Sequence, residues 1–330
     1  VKRYLRPLGI LAGSDARRAI AVGLAQPLAG GRLAFSLVEE IVRGKDRRIV
    51  PAPAGGIGAD LHGAPVVMGI VNATPDSFSD GGAFFAPDMA ITHGKTMIAA
   101  GAAIVDVGGE STRPGAERID PDEEMRRVLP VIVGLSAAAS AAGATISIDT
   151  RNAGTMRAAV AAGAGMINDV SALTHDPGSL PAAAETGVPV VLMHMRGEPR
   201  TMQDAPAYDD VALDVYDYLE ARIAAAVDAG VARERIIVDP GIGFGKTAGH
   251  NLALLRQLSL FHGLGAPIMV GVSRKGFIGR LSAGEPADRR LGGSLALALD
   301  AIGQGAHILR VHDVAETVQA IRLIRALREG

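Results

Sequence analysis

The chain of 330 residues contains no cysteine and no tryptophan, and only 3% of it is aromatic. Without thiols there are no disulfides, no thiolate zinc centre and no cysteine nucleophile, and the redox compartment stays open. A charge excess is also lacking: 33 Lys and Arg against 35 Asp and Glu leave a formal net charge of −2. A surface that neutralises phosphates needs a basic excess, so no nucleic-acid partner is expected. The eight histidines do not fall into the His-Glu-x-x-His spacing of a helical zinc site. No segment reads as membrane-spanning: residues 19–31 are apolar but short, and they contain Gln26, Pro27 and Gly30. Lys2 and Arg3 ahead of residues 8–12 look like the opening of a leader, but Asp15, Arg17 and Arg18 interrupt it. The expectation is a cytoplasmic protein with no membrane partner.

What is present is apolar bulk, 48% of the chain, enough for a sizeable core. A Pro/Gly/Ala stretch, residues 51–60, reads as a linker. It divides an N-terminal extension, with its linker residues 1–60, from a main domain, residues 61–330. Sixty residues are few for an independent core, so the extension is expected to pack on the main domain. Within it, residues 33–42 fit a helix or a strand equally well.

From residue 61 onward one pattern repeats: apolar strand, polar loop, helix. Strands are expected at 66–71, 103–107, 145–148, 165–167, 189–193, 235–238, 267–272 and 307–309. Helices are expected at 89–100, 121–142, 152–162, 208–229, 252–260, 289–302 and 314–327. Asp122, Glu123 and Glu124 suit the positive end of the second of these, and Glu123-Glu124 read as solvated charges. Eight such units in about 265 residues point to an α/β (β/α)8 TIM barrel. A doubly wound sheet is the rival, but no strand-linked Gly-x-Gly-x-x-Gly supports it.

In such a barrel the C-terminal strand ends share one mouth. Asn72, Thr112, Asp149, Asn168, Asp239, Lys275, Arg310 and His312 all fall there. Two carboxylates, an Asn and a Lys match the nitrogens of a flat polar heterocycle. Arg310, His312, Thr112 and Asn72 suit a phosphate or a metal–phosphate. Phe78, Met193 and Phe244 could cover a ring face. Singly, each has a plainer reading. Asp149 and Asp239 could cap helices, Asn168-Asp169 could be a turn, and His194 could be a rim histidine. Lys246, after Gly241-Ile242-Gly243-Phe244-Gly245, looks like part of a phosphate loop, but Pro240 stands where the Walker spacing needs Gly.

Residues 68–82 (Met-Gly-Ile-Val-Asn-Ala-Thr-Pro-Asp-Ser-Phe-Ser-Asp-Gly-Gly) and 106–115 (Asp-Val-Gly-Gly-Glu-Ser-Thr-Arg-Pro-Gly) resemble the two signatures of the dihydropteroate synthases. So, in order, do Ser147-Ile148-Asp149-Thr150, Ile167-Asn168-Asp169-Val170, Met193-His194-Met195, residues 239–246, Ser273-Arg274-Lys275 and Arg310-Val311-His312-Asp313. The resemblance implies a TIM barrel that condenses 7,8-dihydropterin-6-ylmethyl diphosphate with 4-aminobenzoate. It implies that Asp149, Asn168, Asp239 and Lys275 hold the pterin, with Met193 and Arg310 flanking its ring. Thr112, Arg310 and His312 would meet the diphosphate, and Asn72 would coordinate Mg²⁺. Phe78, Pro114, Phe244 and Lys275 would form the aminobenzoate pocket, with residues 111–114, Arg113 among them, in its wall. Asp149, Lys275 and Arg310 are the expected catalytic residues. One departure stands out: where many members carry a Ser that meets the aminobenzoate carboxylate, this chain has Gly276.

The helix around 294–302 is apolar nearly all round, which predicts burial on both sides and a homodimer through it. Two other readings are a corrinoid-linked, pterin-dependent methyltransferase module and a non-catalytic pterin-binding relative. The first does not need Ser-Thr-Arg-Pro-Gly or Ser-Arg-Lys. The second predicts loss of Asn72, Asp149 or Arg310. All of these are present.

Overall fold

The computed structural model describes residues 1–58, 64–73, 86–110, 119–197, 202 and 205–329. The chain opens with two small antiparallel sheets. β1 (Tyr4–Leu8), β5 (Leu37–Ile41) and β6 (Arg48–Pro51) form one, in the order β1-β5-β6. β2 (Leu11–Ala12), β4 (Leu33–Phe35) and β3 (Gln26–Leu28) form the other, with helix α1 (Gly13–Ala21) beside it. The ambiguous stretch 33–42 is thus two strands that part at Ser36 and belong to different sheets. Leu28, Ala29, Leu33, Phe35 and Val38 make a small core of their own, while Tyr4 and Ile41 join the core of the barrel. The Tyr4 hydroxyl donates to both carboxylate oxygens of Asp217 at 2.9 Å, and the Arg43 guanidinium donates to Asp217 Oδ2 at 2.7 Å.

The main sheet has eight parallel strands: β7 (Val66–Asn72), β8 (Ile104–Gly108), β9 (Thr145–Asp149), β10 (Met166–Asp169), β11 (Val190–Met193), β12 (Ile236–Asp239), β13 (Met269–Val270) and β14 (Ile308–Val311). They run in the order β12-β11-β10-β9-β8-β7-β14-β13. The parallel bridge Val238↔Ile268, with the Val238 N–H donating to Pro267 O at 2.9 Å, brings the two ends together and closes the barrel. Helices α2 (Ala86–Ala99), α3 (Pro121–Ala142), α4 (Ala153–Ala161), α5 (Ser179–Thr186), α6 (Val211–Asp228), α7 (Ala248–Arg256), α8 (Gly276–Leu281), α9 (Leu291–Gly303) and α10 (Val314–Glu329) lie between or after the strands.

Local chemistry explains most boundaries. Asp120 caps α3 by accepting the Asp122 N–H, Pro121 occupies the first turn where no N–H is needed, and Gly143 ends the helix at φ +64°. Length and apolarity would let α3 cross a membrane, contrary to the sequence reading that no segment is of that kind. In the fold it is a barrel helix, with Val128, Val131, Ile132 and Leu135 buried along one face. α5 and α8 have no counterpart in the expected helices. Pro181 masks the first, and the second is only six residues long. The helix expected at 252–260 lies earlier, because the capping box of Thr247 and His250 starts α7 at Ala248, and residues Leu258–Leu264 tighten into a 3-10 helix.

Strand alternation layers the barrel. Val67, Val71, Val105, Val107, Ile146, Ile148, Val190 and Leu192 belong to the core between sheet and helices. Met68, Ile104, Met166, Val191, Ile237, Met269 and Ile308 form a separate cluster, the apolar plug inside the barrel. Two residues further along the strands, the interior positions become Asp106, Asn168, Asp239 and Arg310, with Met193 between. The plug makes the bottom of the barrel dry, and the polar layer above it is the floor of the mouth.

Candidate active site

Arg310 on β14 is the centre of the polar layer. Its Nε donates to Asp106 Oδ2 and its Nη2 donates to Asp149 Oδ2, both at 2.7 Å. Asp106 Oδ2 also accepts from Asn168 Nδ2 at 2.9 Å. One guanidinium and one amide thus lock three strands, β8, β9 and β10, to β14. The register agrees, since Asp149 pairs with Gly108 on one side and Asn168 on the other. Burial pushes the Asp149 carboxyl up to about 7, against the opposing pull of Arg310. The two carboxylates in turn hold the Arg310 guanidinium firmly protonated.

Asp239 ends β12 and is raised by burial. Its Oδ1 accepts the Gly241 N–H at 2.7 Å, which aims the start of the following loop. Met193 lies beside it, in register on β11. Lys275 follows β13 at the start of α8, with its ammonium 4.3 Å from the centre of the Phe244 ring, a cation–π contact. Burial lowers it to about 8. Gly276 opens α8.

His312, just beyond β14, is held neutral, down to about 4, by burial and the nearby guanidiniums of Arg274 and Arg310. The Ser273 hydroxyl accepts the His312 backbone N–H at 3.2 Å and lies 3.0 Å from Nδ1. That arrangement lets the hydroxyl give its proton to Nδ1 and leaves Nε2–H as the outward donor. Asn72 ends β7 opposite Gly108 and is half-buried.

Nine of the expected site residues are therefore described, and all lie at the C-terminal mouth: Asn72, Asp149, Asn168, Met193, Asp239, Phe244, Lys275, Arg310 and His312. Phe78, Thr112, Arg113 and Pro114 lie outside the described residues.

Several plain readings change. Asp149 pairs with Arg310 rather than capping a helix. Glu124 is not a solvated charge. It is fully buried, and its Oε2 accepts from Thr150 Oγ1 at 2.8 Å, Asn152 Nδ2 at 2.9 Å and Thr155 Oγ1 at 2.7 Å. It braces the chain just after Asp149. Lys246 does not face a phosphate loop; it is buried among carbonyls and His194. Asp106 is the residue that sequence reasoning missed, fully buried with Oδ1 unpartnered. The signal was there: a carboxylate alternating with Ile104 inside an otherwise apolar strand.

Comparison with known proteins fits this geometry. A family model described as pterin binding enzyme matches residues 68–312. Dihydropteroate synthase from Escherichia coli strain K12 is 51% identical over 273 residues, which are 83% of this chain and 95% of that one. Among solved structures, Xanthomonas albilineans dihydropteroate synthase with 4-aminobenzoic acid is 49% identical with a TM-score of 0.76, covering 81% of this chain and 94% of that one. The same organism's enzyme in complex with 7,8-dihydropteroate is 46% identical with a TM-score of 0.73, covering 81% of this chain and 95% of the other.

Proposed function

This chain belongs to the pterin-binding enzyme family, as a dihydropteroate synthase, and from that premise we propose how its own residues divide the work. The reaction joins 7,8-dihydropterin-6-ylmethyl diphosphate to 4-aminobenzoate and releases diphosphate. The observation that carries the assignment of roles is the fork of Arg310 between Asp106 and Asp149, above a dry apolar plug and beside Asn168 and Asp239.

The pterin lies on that floor. Asp239 keeps Oδ2 for the amino and ring N–H groups of the heterocycle, and Asn168 and Asp149 take its other edge. Met193 and the guanidinium plane of Arg310 flank the ring. Of the five N–H groups of Arg310, two serve Asp106 and Asp149, so three remain for the diphosphate. His312 adds its Nε2–H.

Breaking the carbon–oxygen bond sends the electron pair to the diphosphate oxygen and leaves positive charge on the pterin methylene. Arg310 and His312 stabilise the first, and the Asp149 carboxylate stabilises the second. The amine of 4-aminobenzoate then attacks the methylene, and its proton leaves to solvent or phosphate. An arylamine is already unprotonated at neutral pH, so this step needs no dedicated base. Phe244 and Lys275 hold the aminobenzoate ring.

Mg²⁺ fits as a companion of the diphosphate. Among the described residues no three His, Asp or Glu side chains form a cation site. Asn72 offers a neutral oxygen at the rim, which suits an ion that keeps waters and is carried largely by substrate phosphates. When bound, it would supply charge neutralisation at the leaving group. Removal of divalent ions with EDTA is expected to stop turnover and to leave binding of the bare pterin intact, as read by calorimetry.

The two halves of the site are separable by binding. Asn168→Ala is expected to weaken a bare dihydropterin by about tenfold, the scale of one lost charge-assisted or buried hydrogen bond. His312→Ala is expected to leave the bare pterin within about twofold and to weaken only the pterin diphosphate. Equal losses for both ligands in His312→Ala would contradict the division of roles.

We also propose a homodimer through α9. Its buried side carries Ser294, Ala298, Ala301 and Ile302, while Leu295 and Leu299 remain partly accessible. The extension borders the C-terminal end of this helix, where Leu299, Asp300 and Gly303 share a cleft of about 360 Å³ with Arg6, Pro7 and Leu8. Sedimentation at micromolar concentration should give twice the chain mass, and Leu295→Arg should give monomer.

A further inference from the structure

We propose that Lys246 is a positioning residue for the aminobenzoate half of the reaction, acting as a buried ammonium that folds the loop after β12 and sets Phe244 against Lys275. The proposal rests on the assignment of Phe244 and Lys275 to that pocket.

The geometry is specific. Lys246 is 1% exposed. Its Nζ lies 2.8 Å from His194 Nδ1, 2.9 Å from Gly241 O and 3.0 Å from Phe244 O. An ammonium has three N–H donors, and three acceptors stand at short range around it. Burial lowers the ammonium to about 7, but a neutral amine has two donors and would leave one acceptor unmet, so the three acceptors favour the charged form against that pull. For Nδ1 to accept, His194 must carry its proton on Nε2. Burial and the facing ammonium depress the imidazole to about 2, which keeps the ring neutral, and the facing N–H donor selects the tautomer with Nδ1 bare.

No carboxylate touches this ammonium among the described residues; two of its three close partners are backbone carbonyls, and both belong to the loop. Replacing the charge therefore removes loop geometry rather than an ion pair. Gly241 shows how closely the parts fit: at φ +69°, a Cβ there would stand 1.8 Å from His194 O. The Phe244 N–H donates to Gly241 O at 3.1 Å, and the Gly243 N–H donates to Asn251 Oδ1 at 2.7 Å. Tyr208 closes the outer side by donating to Gly245 O at 2.7 Å, with its ring near that of His194. The Tyr218 ring meets the His194 imidazole edge-on at 4.9 Å.

The result is a staple between the loops after β11 and β12. Its product is a fixed Phe244, 4.3 Å from the Lys275 ammonium. The pterin floor is anchored through strand register and the Arg310 fork, and only Asp239 touches this loop, by accepting the Gly241 N–H at 2.7 Å from its own strand end. The effect of the staple should therefore fall chiefly on one substrate.

The test is steady-state kinetics of Lys246→Met, which keeps much of the volume and removes the donors, and of His194→Phe, which removes one acceptor. The expected result is a KM for 4-aminobenzoate raised by about tenfold or more in Lys246→Met, with the KM for the pterin diphosphate within about threefold. His194→Phe should move the same constant in the same direction by less. A folded Lys246→Met with an unchanged aminobenzoate KM would overturn the proposal. So would equal losses for both substrates, the signature of a merely structural role. If Lys246→Met does not fold, His194→Phe decides between the same outcomes. A wild-type protein that makes no dihydropteroate would instead defeat the assignment of the pocket, before either variant is compared.

Discussion

Arg310→Met is expected to lower kcat by about 10³-fold, the scale seen when a preorganised charge stabiliser is removed from a reacting oxygen. The physical loss is double. The leaving diphosphate loses its guanidinium, and Asp106 and Asp149 lose the cation that donates to both. With Arg310 gone, the Asp149 carboxyl loses the pull that opposes its burial and is expected to retain its proton to higher pH. A folded group that holds its proton above the unfolded value binds more protons in the native state, so the variant should lose stability relative to wild type as pH rises. Thermal unfolding compared at pH 5 and pH 8 checks this, and a variant whose deficit shrinks toward pH 8 would contradict it. Single-turnover kinetics checks the catalytic loss.

Asp149→Asn should produce the second large effect, also about 10³-fold in kcat, because a neutral amide cannot offset the positive methylene. Pterin binding should fall much less, since the amide still offers an oxygen. The pH profile separates the two roles. Burial places the wild-type carboxyl at about 7, so it is neutral below that value and charged above. Turnover should therefore rise through pH 7 in the wild type and lose that limb in Asp149→Asn. A variant that keeps the same limb would assign it to another group.

The barrel was legible because its strands are short apolar runs, each broken off by polar residues, and because helix signals are local. Pro121, Asp120 and Gly143 mark α3 completely. Nine of the expected residues lie at the mouth, since a parallel barrel turns position along a strand directly into position in space. What stayed hidden depends on distant parts of the chain. Asp106 matters through Arg310, 204 residues away. Lys246 sits in a loop whose path is set by His194, 52 residues upstream. Glu124 could have been found: it lies four residues before Val128 and falls on the same face as Val131, Ile132 and Leu135. Acidic first turns are so common that its face was overlooked. The extension stayed ambiguous because Ser36 interrupts the alternation between two strands of different sheets.

The most direct measurement is diphosphate release from the pterin diphosphate by the wild-type chain with Mg²⁺, with and without 4-aminobenzoate. Release that depends on 4-aminobenzoate and matches dihydropteroate mole for mole is the predicted result. Release at the same rate without 4-aminobenzoate, or tight pterin binding with no release, would contradict the account.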